Sequence, residues 1–225
     1  MWCVADLDDE YIEKMEDVLA VYERPYDSAQ PVVCLDERAV QLRGDKRVRR
    51  PARPGRPARY DYEYERHGTA NIFCAVEPLA GKYMTKLTPD RSGAEFAKML
   101  MEIARRYPRA KTIHLVMDNL NSHTLVSLVR HYGEQRGTKL WSRFTIHYTP
   151  KHGSWLNQAE LAICILNRQC MGKRRFPSID DLHPEVSMWN RRVNRERRRF
   201  SWCFTTAKAR ERFSYEPLTT TRRQD

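Results

Sequence analysis

The fold is decided by the stretch TANIFCAVEPLAGKYMTKLTPDRSGAEFAKMLMEIARRYPRAKTIHLVMD, residues 69–118. Its first part contains two β-rich runs, 69–78 and 82–88, joined by the turn-forming residues 79–81, and this pattern predicts a β-hairpin. A helical pattern follows, and the stretch ends in a further apolar run at 112–118. Because a hairpin pairs strands antiparallel while a helical crossover joins parallel strands, this order predicts a mixed sheet.

The helix within this stretch carries clear local signals. Ser92 and Glu95 form an S-x-x-E capping box, and Pro108 marks the end of the pattern. Between them, apolar side chains recur at helical spacing, which predicts that one face of the helix is buried. These side chains are Phe96, Ala97, Leu100, Ile103, Ala104 and Tyr107.

The sequence upstream of this stretch predicts one helix and one strand. Residues 7–22 carry an apolar stripe at approximately helical spacing, which ends before Pro25. The run VVCLDERAV (32–40) predicts the first strand of the sheet. Residues 43–66 are polar and interrupted by prolines, so we expect an extended loop there.

The sequence downstream alternates between helix and strand. The run 125–132 predicts a helix, 143–148 a strand, and a helix is expected from Ser154 to about Cys170. One more amphipathic helix and a short helix near Thr206 follow. The order β-β-β-α-β-α-β-α predicts an α/β protein whose mixed sheet is flanked by helices, and ribonuclease-H-like domains share this order.

The length and the element pattern suggest three parts. We expect a lead-in helix and linker at 1–25, a ribonuclease-H-like catalytic domain at 26–200, and a short C-terminal helix and tail at 201–225. A chain of 225 residues suits one large domain with an appendage.

Composition and charge narrow the class of protein. The longest apolar run, 161–166, is too short for a membrane span, and the acidic N-terminus does not resemble a signal peptide, so we expect a cytoplasmic protein. The six cysteines lack a C-x-x-C pair and are interpreted as reduced packing residues. A net charge of +11 favours a polyanionic partner, and nucleic acid is the abundant one, so we also expect association with the nucleoid.

Two aspartates directly follow buried runs. Asp36 closes VVCL and Asp118 closes IHLVM, and a carboxylate beside a strand core needs a partner or a metal ion. Each one alone is equally consistent with a solvated strand end or a helix cap. Glu160 lies on the helix expected after Ser154, off its buried stripe, where a favourable contact with the helix dipole is the alternative interpretation.

Together, these three acids predict a metal site. Carboxylate oxygens at two strand ends and on a packed helix suit Mg²⁺ or Mn²⁺, and two such ions are expected for phosphodiester chemistry. Glu37 points to the opposite strand face from Asp36, so we rank it below the three acids. We interpret His114 and His123 as residues that form local hydrogen bonds.

Five segments resemble the transposases of insertion sequences. They are VVCLDE (32–37), GRPARYDYEYERHGTANIF (55–73), LVMDNLNSH (115–123), HYTPKHGSWLNQAE (147–160) and FTTAKAR (204–210). They look like the mariner-like branch of the DDE endonuclease superfamily. The resemblance covers nearly the whole chain, and it implies that Asp36, Asp118 and Glu160 form the metal-binding triad.

The family implies an activity and its partners. Members cleave DNA strands at the ends of a mobile element and join the freed 3′-hydroxyl to target DNA, in a synaptic complex that implies a homodimer. Members also carry a helix-turn-helix region, whereas this chain starts just before the catalytic half. A truncated gene, a remnant and a separately encoded helix-turn-helix half remain as interpretations. Ala162 and Lys208 stand where similar sequences commonly have acids.

Three basic groups are candidates for DNA contact. The proline-interrupted segment after the first strand contains Arg47, Arg49, Arg50 and Arg53, the segment before Glu160 contains Lys151 and His152, and the later helix contains Arg191, Arg192 and Arg195. A solvated hairpin and a cation-rich helix C-terminus are the alternatives for the first and third groups. Trp155 could stack on a base, but a core position is favoured.

The sequence therefore predicts a transposase catalytic domain that performs metal-dependent DNA cleavage and strand transfer. Two alternatives stay open: another two-metal nuclease with the same fold, and an inactive DNA-binding remnant.

Overall fold

A mixed sheet forms the centre of the computed structural model, which describes residues 7–48, 50–59 and 61–216. The strands in these residues are β1 (Val32–Asp45), β2 (Tyr64–Glu77), β3 (Lys82–Thr88), β4 (Ile113–Met117) and β5 (Phe144–Tyr148). Their order across the sheet is β3-β2-β1-β4-β5. The pairs β1–β2 and β2–β3 are antiparallel, while β1–β4 and β4–β5 are parallel. The predicted mixed sheet is confirmed.

Helices cover both faces of this sheet. Those in the described residues are α1 (Asp9–Tyr22), α2 (Gly93–Arg106), α3 (Leu125–Tyr132), α4 (Glu134–Trp141), α5 (Ala159–Leu166), α6 (Ile179–Glu196) and α7 (Thr206–Phe213). Apolar side chains of α1, α5, α6 and α7 pack together on one face, and those of α2, α3 and α4 pack on the other. We call these the α5 face and the α2 face. The predicted α/β architecture is therefore observed, with two separate apolar layers.

The connection between β4 and β5 contains two helices where the sequence pattern predicts one. Gly133 separates α3 from α4 with a φ of 82°, a conformation that favours glycine. Gly137 brings α4 against α3, since a Cβ atom there would lie 2.7 Å from the backbone nitrogen of Val129. Because α4 is short, polar and packed through a glycine, its sequence lacks the apolar periodicity that reveals helices.

The strands β1 and β2 are longer than predicted, so the ends of the loop expected at 43–66 are paired strand. The sequence suggests strands at 32–40 and 69–78, but pairing continues past a bulge between Gln41 and Arg43 to Asp45 and Tyr64. Backbone pairing between exposed strands needs no apolar alternation, so the polar sequence does not reveal it.

The segment beyond these strand ends is also hairpin-like instead of a plain loop. We define the basic arm as residues 46–63, and within its described part Arg50 pairs with Arg59 and Arg53 with Arg56 in antiparallel bridges. At its base, Arg175 donates to the backbone oxygens of Asp61, Tyr62 and Glu63. These bonds attach the arm to the body of the protein.

The helix predicted from Ser154 to Cys170 is broken into pieces. A 3₁₀ turn (Ser154–Leu156) is followed by Asn157 in an extended conformation, then by α5, and then by a π-helical turn at Asn167–Met171. The Asn157 side chain accepts a hydrogen bond from the backbone of Ala159 at 3.1 Å. A short polar side chain that bonds nearby backbone in this way interrupts one helix and starts the next. Glu160 therefore lies in the first turn of α5.

The C-terminal helix α7 is attached to α1 by polar contacts. The guanidinium of Arg210 donates two hydrogen bonds to Glu16, at 2.8 and 2.9 Å, and the hydroxyl of Tyr215 donates a third at 3.0 Å. Thr206 donates to Glu23 through both its backbone nitrogen and its hydroxyl. These contacts connect the two ends of the described chain.

The two departures from the family pattern have local structural roles. Lys208 donates through Nζ to the backbone oxygen of Cys203, at the start of α7. Ala162 is fully buried between α5 and the sheet. An ionised acid at position 162 would lose its hydration, so the small apolar residue fits this packing.

The expected division into 1–25, 26–200 and 201–225 stays a prediction, although α1 and α7 share one apolar core with α5. Within the described residues, the helices are all too short or too polar to cross a membrane. The described cysteines are free thiols, of which Cys34, Cys74 and Cys170 are buried and Cys164 and Cys203 are exposed.

Glu16→Gln removes the ionic contact with Arg210, so we expect it to lower Tm at neutral pH. The decrease should be only a few degrees, because the contact is partly exposed and water weakens it. The hydrogen bonds from Arg210 hold the pKa of Glu16 below its usual value. The stabilisation is therefore present above that usual value and is lost as the pH falls through the lowered pKa. Thermal unfolding of both proteins across this pH range measures the difference.

Glu13→Gln is the matched control for this prediction, because Glu13 is exposed on the same helix. A Glu16→Gln protein that melts like the Glu13→Gln protein at neutral pH would show that the contact adds nothing to stability.

Candidate active site

Asp36 and Asp118 lie at the same level of two adjacent parallel strands. The last parallel pair of β1 and β4 is Cys34 with Val116, and each aspartate follows two residues later. Side chains alternate along a strand, so Asp36 shares the face of Cys34, which packs in the core on the α5 face. Asp118 directly follows β4 and begins the loop that leads to α3.

The helix that carries Glu160 is fixed to β1 by a buried side chain. Asn157 donates from Nδ2 to the backbone oxygen of Leu35 at 2.8 Å, and Leu35 directly precedes Asp36. Tyr22 of α1 donates from its hydroxyl to the backbone oxygen of Leu156 at 2.8 Å. These two bonds hold the start of α5 against the strand, with Glu160 half-buried in the first turn.

The pKa of Asp36 depends on the charges of the other two predicted metal ligands. Burial raises the pKa of Asp36 to about 7, and the charges of Glu37, Asp118 and Glu160 add to this rise. A hydrogen bond from the backbone nitrogen of Glu37 to Oδ1 of Asp36, at 2.8 Å, acts in the opposite direction. Like charges in a partly buried place repel each other, and a bound cation would relieve this repulsion.

A tighter cluster consists of Glu37, Asp118 and His123. One ligand atom from each residue lies within 4.8 Å of the other two. Asp36 and Glu160 are not part of this cluster, so the three acids predicted from the sequence do not form a group this tight. Glu37 lies on the opposite strand face from Asp36, as its position in the strand predicts.

His123 is the central member of this cluster. Its Nδ1 atom lies 2.6 Å from Oδ1 of Asp118, and its Nε2 atom lies 3.5 Å from Oε2 of Glu37. Burial lowers the pKa of His123, but the contact with Asp118 and the charge of Glu37 outweigh burial, and the pKa is raised. Burial also raises the pKa of Glu37, against the charge of His123.

The sequence contained a signal for this cluster. His123 is part of the quoted run LVMDNLNSH and follows Asp118 by five residues. The interpretation as a locally bonded residue fits its contact with the backbone oxygen of Asp118 at 3.3 Å. The link to Glu37 depends on the pairing of distant strands, and the local sequence does not reveal it.

The open side of the site suits a hard cation. Asp36 and Glu160 are half-buried, and the Asp118 side chain is 38% exposed. Mg²⁺ and Mn²⁺ bind through a few carboxylate oxygens and keep water or phosphate as further ligands, which requires such access. The residues present therefore fit a divalent ion, while the expected number of two ions stays a prediction.

Four arginines of the basic arm have no acidic partner within the described residues. At its base, Lys46 pairs with Glu63 at 3.2 Å and Arg47 with Asp61 at 3.3 Å. Within the described residues, no carboxylate pairs with the arginines that line a groove of about 650 Å³ along the arm. These are Arg50, Arg53, Arg56 and Arg59. Arg49 lies outside the described residues, so its predicted DNA contact has no structural counterpart here.

Lys151 and His152 lie in an exposed turn before α5. They line a small groove with Asp8 and Glu10 of the α1 region, so acids flank these two side chains. Trp155 packs against Phe204, with ring centroids 5.4 Å apart, which agrees with the favoured core position.

The third basic group lies on a different part of the molecule. Arg191, Arg192 and Arg195 are exposed on α6, where the neighbouring Asn194 bonds to both backbone groups of Tyr83 in β3. This helix covers the edge strand β3, which is two strands from β1. Arg192 also donates to Gln169 at 3.0 Å. The structure thus does not bring this group together with the basic arm.

Comparison with known proteins identifies the family. The model of the DDE superfamily endonucleases matches residues 31–183, which is more than half of the chain. No curated protein sequence matches it.

Solved structures of the Mos1 transposase have a similar fold. The Mos1 strand transfer complex is 16% identical, with a TM-score of 0.57 over 95% of this chain and 62% of that chain. The Mos1 mariner paired end complex with Mn is also 16% identical, with a TM-score of 0.54 over 95% and 63%. The chain thus spans less than two thirds of the length of these relatives.

The family-model match confirms the predicted DDE endonuclease superfamily, and the Mos1 likeness confirms the predicted ribonuclease-H-like fold. The identity is low, so the Mos1 likeness concerns the fold. From the match across 31–183, this chain belongs to the DDE superfamily of endonucleases.

Proposed function

We propose that this chain is a transposase catalytic domain that cleaves DNA strands and joins a freed 3′ end to target DNA. Asp36, Asp118 and Glu160 would hold Mg²⁺ or Mn²⁺ in this activity. The observation that carries the proposal is a partly buried group of like charges: burial raises the pKa of Asp36 to about 7, and the charges of Glu37, Asp118 and Glu160 add to this rise. A protein retains such a repulsive cluster when a bound cation or a substrate needs it.

The chemistry proposed for the site needs no nucleophilic side chain. A divalent ion bound there would activate a water molecule or a 3′-hydroxyl of the DNA for attack on a phosphodiester, and it would stabilise the leaving oxygen. Asp36 and Glu160 would hold it from the α5 face, and Asp118 would hold it from the end of β4. Asn157 keeps α5 against β1, and so it maintains the spacing of Glu160 and Asp36.

DNA is the proposed substrate and partner. The solved relatives are described as strand transfer and paired end complexes, two of them with Mn or Mg. The net charge of +11 and the arginines of the basic arm support a polyanionic substrate. The same proposal includes assembly as a homodimer, a separately encoded helix-turn-helix half as a partner, and association with the nucleoid.

We expect Asp118→Asn to abolish Mg²⁺-dependent nicking of DNA while DNA binding persists, because the amide keeps the shape but loses the charge that binds the ion. Nicking and strand transfer are measured with DNA that contains the transposon ends, and binding is measured by fluorescence anisotropy. Asp180→Asn is the matched control, since Asp180 is exposed in the first turn of α6.

Three outcomes separate the candidate functions. Nicking without strand transfer of end-containing DNA would favour another two-metal nuclease with this fold. DNA binding without any nicking by the unsubstituted chain would favour the inactive remnant. Equal nicking by the Asp118→Asn and unsubstituted chains would exclude the proposed metal site.

We expect Arg53→Gln with Arg56→Gln to weaken DNA binding about equally for all sequences, because arginines on an exposed arm contact phosphates. The slope of log K against log salt concentration should fall in magnitude by up to about 2, since each phosphate contact contributes about 0.9. The backbone bridge between the two residues does not depend on their side chains.

The double variant Arg105→Gln with Arg106→Gln is the control for nonspecific charge loss, because these residues lie at the C-terminal end of α2. A third double variant, Arg191→Gln with Arg192→Gln, measures the group on α6. If the arm variant has the same salt slope as the α2 variant, the arm does not contact DNA.

We expect Asp36→Asn to raise Tm of the metal-free protein at about pH 8, because it removes a charge that is unfavourable through burial and through neighbouring acids. The rise should be about 2–4 °C for each kcal/mol of this penalty. The pKa of Asp36 is raised from 3.8 to about 7, so the native state holds this proton more strongly than the unfolded state does. The stability of the unsubstituted protein should therefore fall between these two pH values and then level off.

Added Mg²⁺ should raise Tm of the unsubstituted protein more than that of Asp36→Asn, because a ligand that binds the native state stabilises it. Asp180→Asn again serves as the control. A Tm difference that does not change with pH would contradict the raised pKa of Asp36.

A further inference from the structure

We propose that His123 and Glu37 form a positioning pair that holds Asp118 from the α2 face, opposite the face from which Asp36 and Glu160 approach. This inference rests on the proposed function, in which Asp118 is a metal ligand. It assigns a role to two residues that the three-acid site does not use.

The contacts place His123 between two carboxylates. Its ring reaches Oδ1 of Asp118 with one nitrogen, at 2.6 Å, and Oε2 of Glu37 with the other, at 3.5 Å. The side chain of His123 is fully buried, and that of Glu37 is 4% exposed. A buried carboxylate and a buried imidazole need polar partners. Within the described residues neither Nε2 of His123 nor Oε2 of Glu37 forms a hydrogen bond, and the contact that these two atoms make is an ion pair at 3.5 Å.

The ring of His123 is held in place by packing and by backbone bonds. It stacks on Phe96 of α2, with ring centroids 4.5 Å apart and an angle of 25° between the planes. Its backbone oxygen accepts a hydrogen bond from the hydroxyl of Tyr148 at 2.9 Å, and its backbone nitrogen donates to Leu120 at 2.8 Å. A ring fixed in this way can determine the orientation of the carboxylate that it touches.

The Asp118 side chain has one buried oxygen atom and is otherwise partly exposed. Its Oδ1 atom is buried beside His123, whereas the side chain as a whole is 38% exposed. The exposed part of the side chain therefore lies away from His123, toward the solvent-accessible side of the site. Fixing one oxygen leaves the other free for a cation and limits rotation of the carboxylate.

The alternation of side chains along β1 explains why two adjacent acids have different roles. Asp36 shares the face of Cys34, and Glu37 shares the face of Leu35, which packs with Phe96 on the α2 face. Asp118 is beyond the end of β4 and interacts with residues on both sides of the sheet. The pair His123 and Glu37 thus holds Asp118 from the α2 face, on the opposite side of the sheet from Asp36.

Direct binding of a cation by Glu37, Asp118 and His123 fits the geometry less well. The 2.6 Å between Nδ1 and Oδ1 is a hydrogen-bonding distance, shorter than the separation of about 3 Å between two ligands of one ion. The cluster is also closed, because the His123 and Glu37 side chains are almost without solvent contact. Mg²⁺ and Mn²⁺ keep waters or phosphates and need an open position.

The test is Mn²⁺ binding to the full chain without DNA, measured by electron paramagnetic resonance titration. We expect His123→Leu to weaken binding about 10–100-fold, the usual effect of removing a residue that orients a metal ligand. His123→Asn should restore most of the affinity, because its amide can donate to Asp118 from nearly the position of Nδ1. His131→Asn, at an exposed position of α3, is the control.

A double-mutant cycle tests the role of Glu37. Glu37→Gln should weaken Mn²⁺ binding in the unsubstituted chain and have no effect when His123 is already leucine, because Glu37 acts through His123. Tm is recorded for each variant, so that a loss of folding is distinguished from a loss of affinity.

The possible results separate this inference from the proposed function. If Asp118→Asn binds Mn²⁺ as well as the unsubstituted chain does, the proposed metal site is wrong. If Asp118→Asn loses binding but folded His123→Leu keeps full affinity, only the positioning role is overturned. A nitrogen coupling in the Mn²⁺ spin-echo spectrum that disappears in His123→Leu would make His123 a direct ligand and would also overturn it.

Discussion

The parallel pairing of β1 with β4 is the constraint on which the candidate site depends. Its register aligns Cys34 with Val116, and this brings Asp36 and Asp118 to one level of the sheet. A shift by one residue would turn Asp36 to the α2 face and away from the helix of Glu160. The register is fixed because β1 contributes apolar side chains to the cores on both faces, Cys34 to one and Leu35 to the other.

The same arrangement concentrates negative charge in a partly buried place. Burial and three neighbouring acids raise the pKa of Asp36, while the positive charge of the chain lies largely on the arm and on helix surfaces. The protein therefore combines a repulsive acidic centre with basic surfaces, a combination that suits a divalent ion and a polyanion together. A protein with such a centre is less stable than a variant with a neutral residue in its place, which is common at functional sites.

Local sequence patterns predicted the elements well where burial dictates the pattern. The helix after Ser92, the strand that contains Asp36 and the strand before Asp118 are present as predicted, because their buried apolar side chains are visible in the sequence. The prediction was wrong where packing uses no apolar side chains: α4 contacts its neighbour through Gly137, and the hairpin base continues through polar residues. It was also wrong about an unbroken helix from Ser154 to about Cys170, because Asn157 bonds to a strand distant in sequence and interrupts the helix.

The sequence by itself predicted the fold class, because that depends on local periodicity. The family followed from the resemblance of five segments to known transposases, and the same segments contain the three acids proposed to hold metal. The tertiary structure alone decided which faces those acids share, and that Glu37 meets Asp118 through His123. Such contacts depend on the register of strands joined by long connections. A local pattern carries no information about that register, and packing on both faces of the sheet sets it.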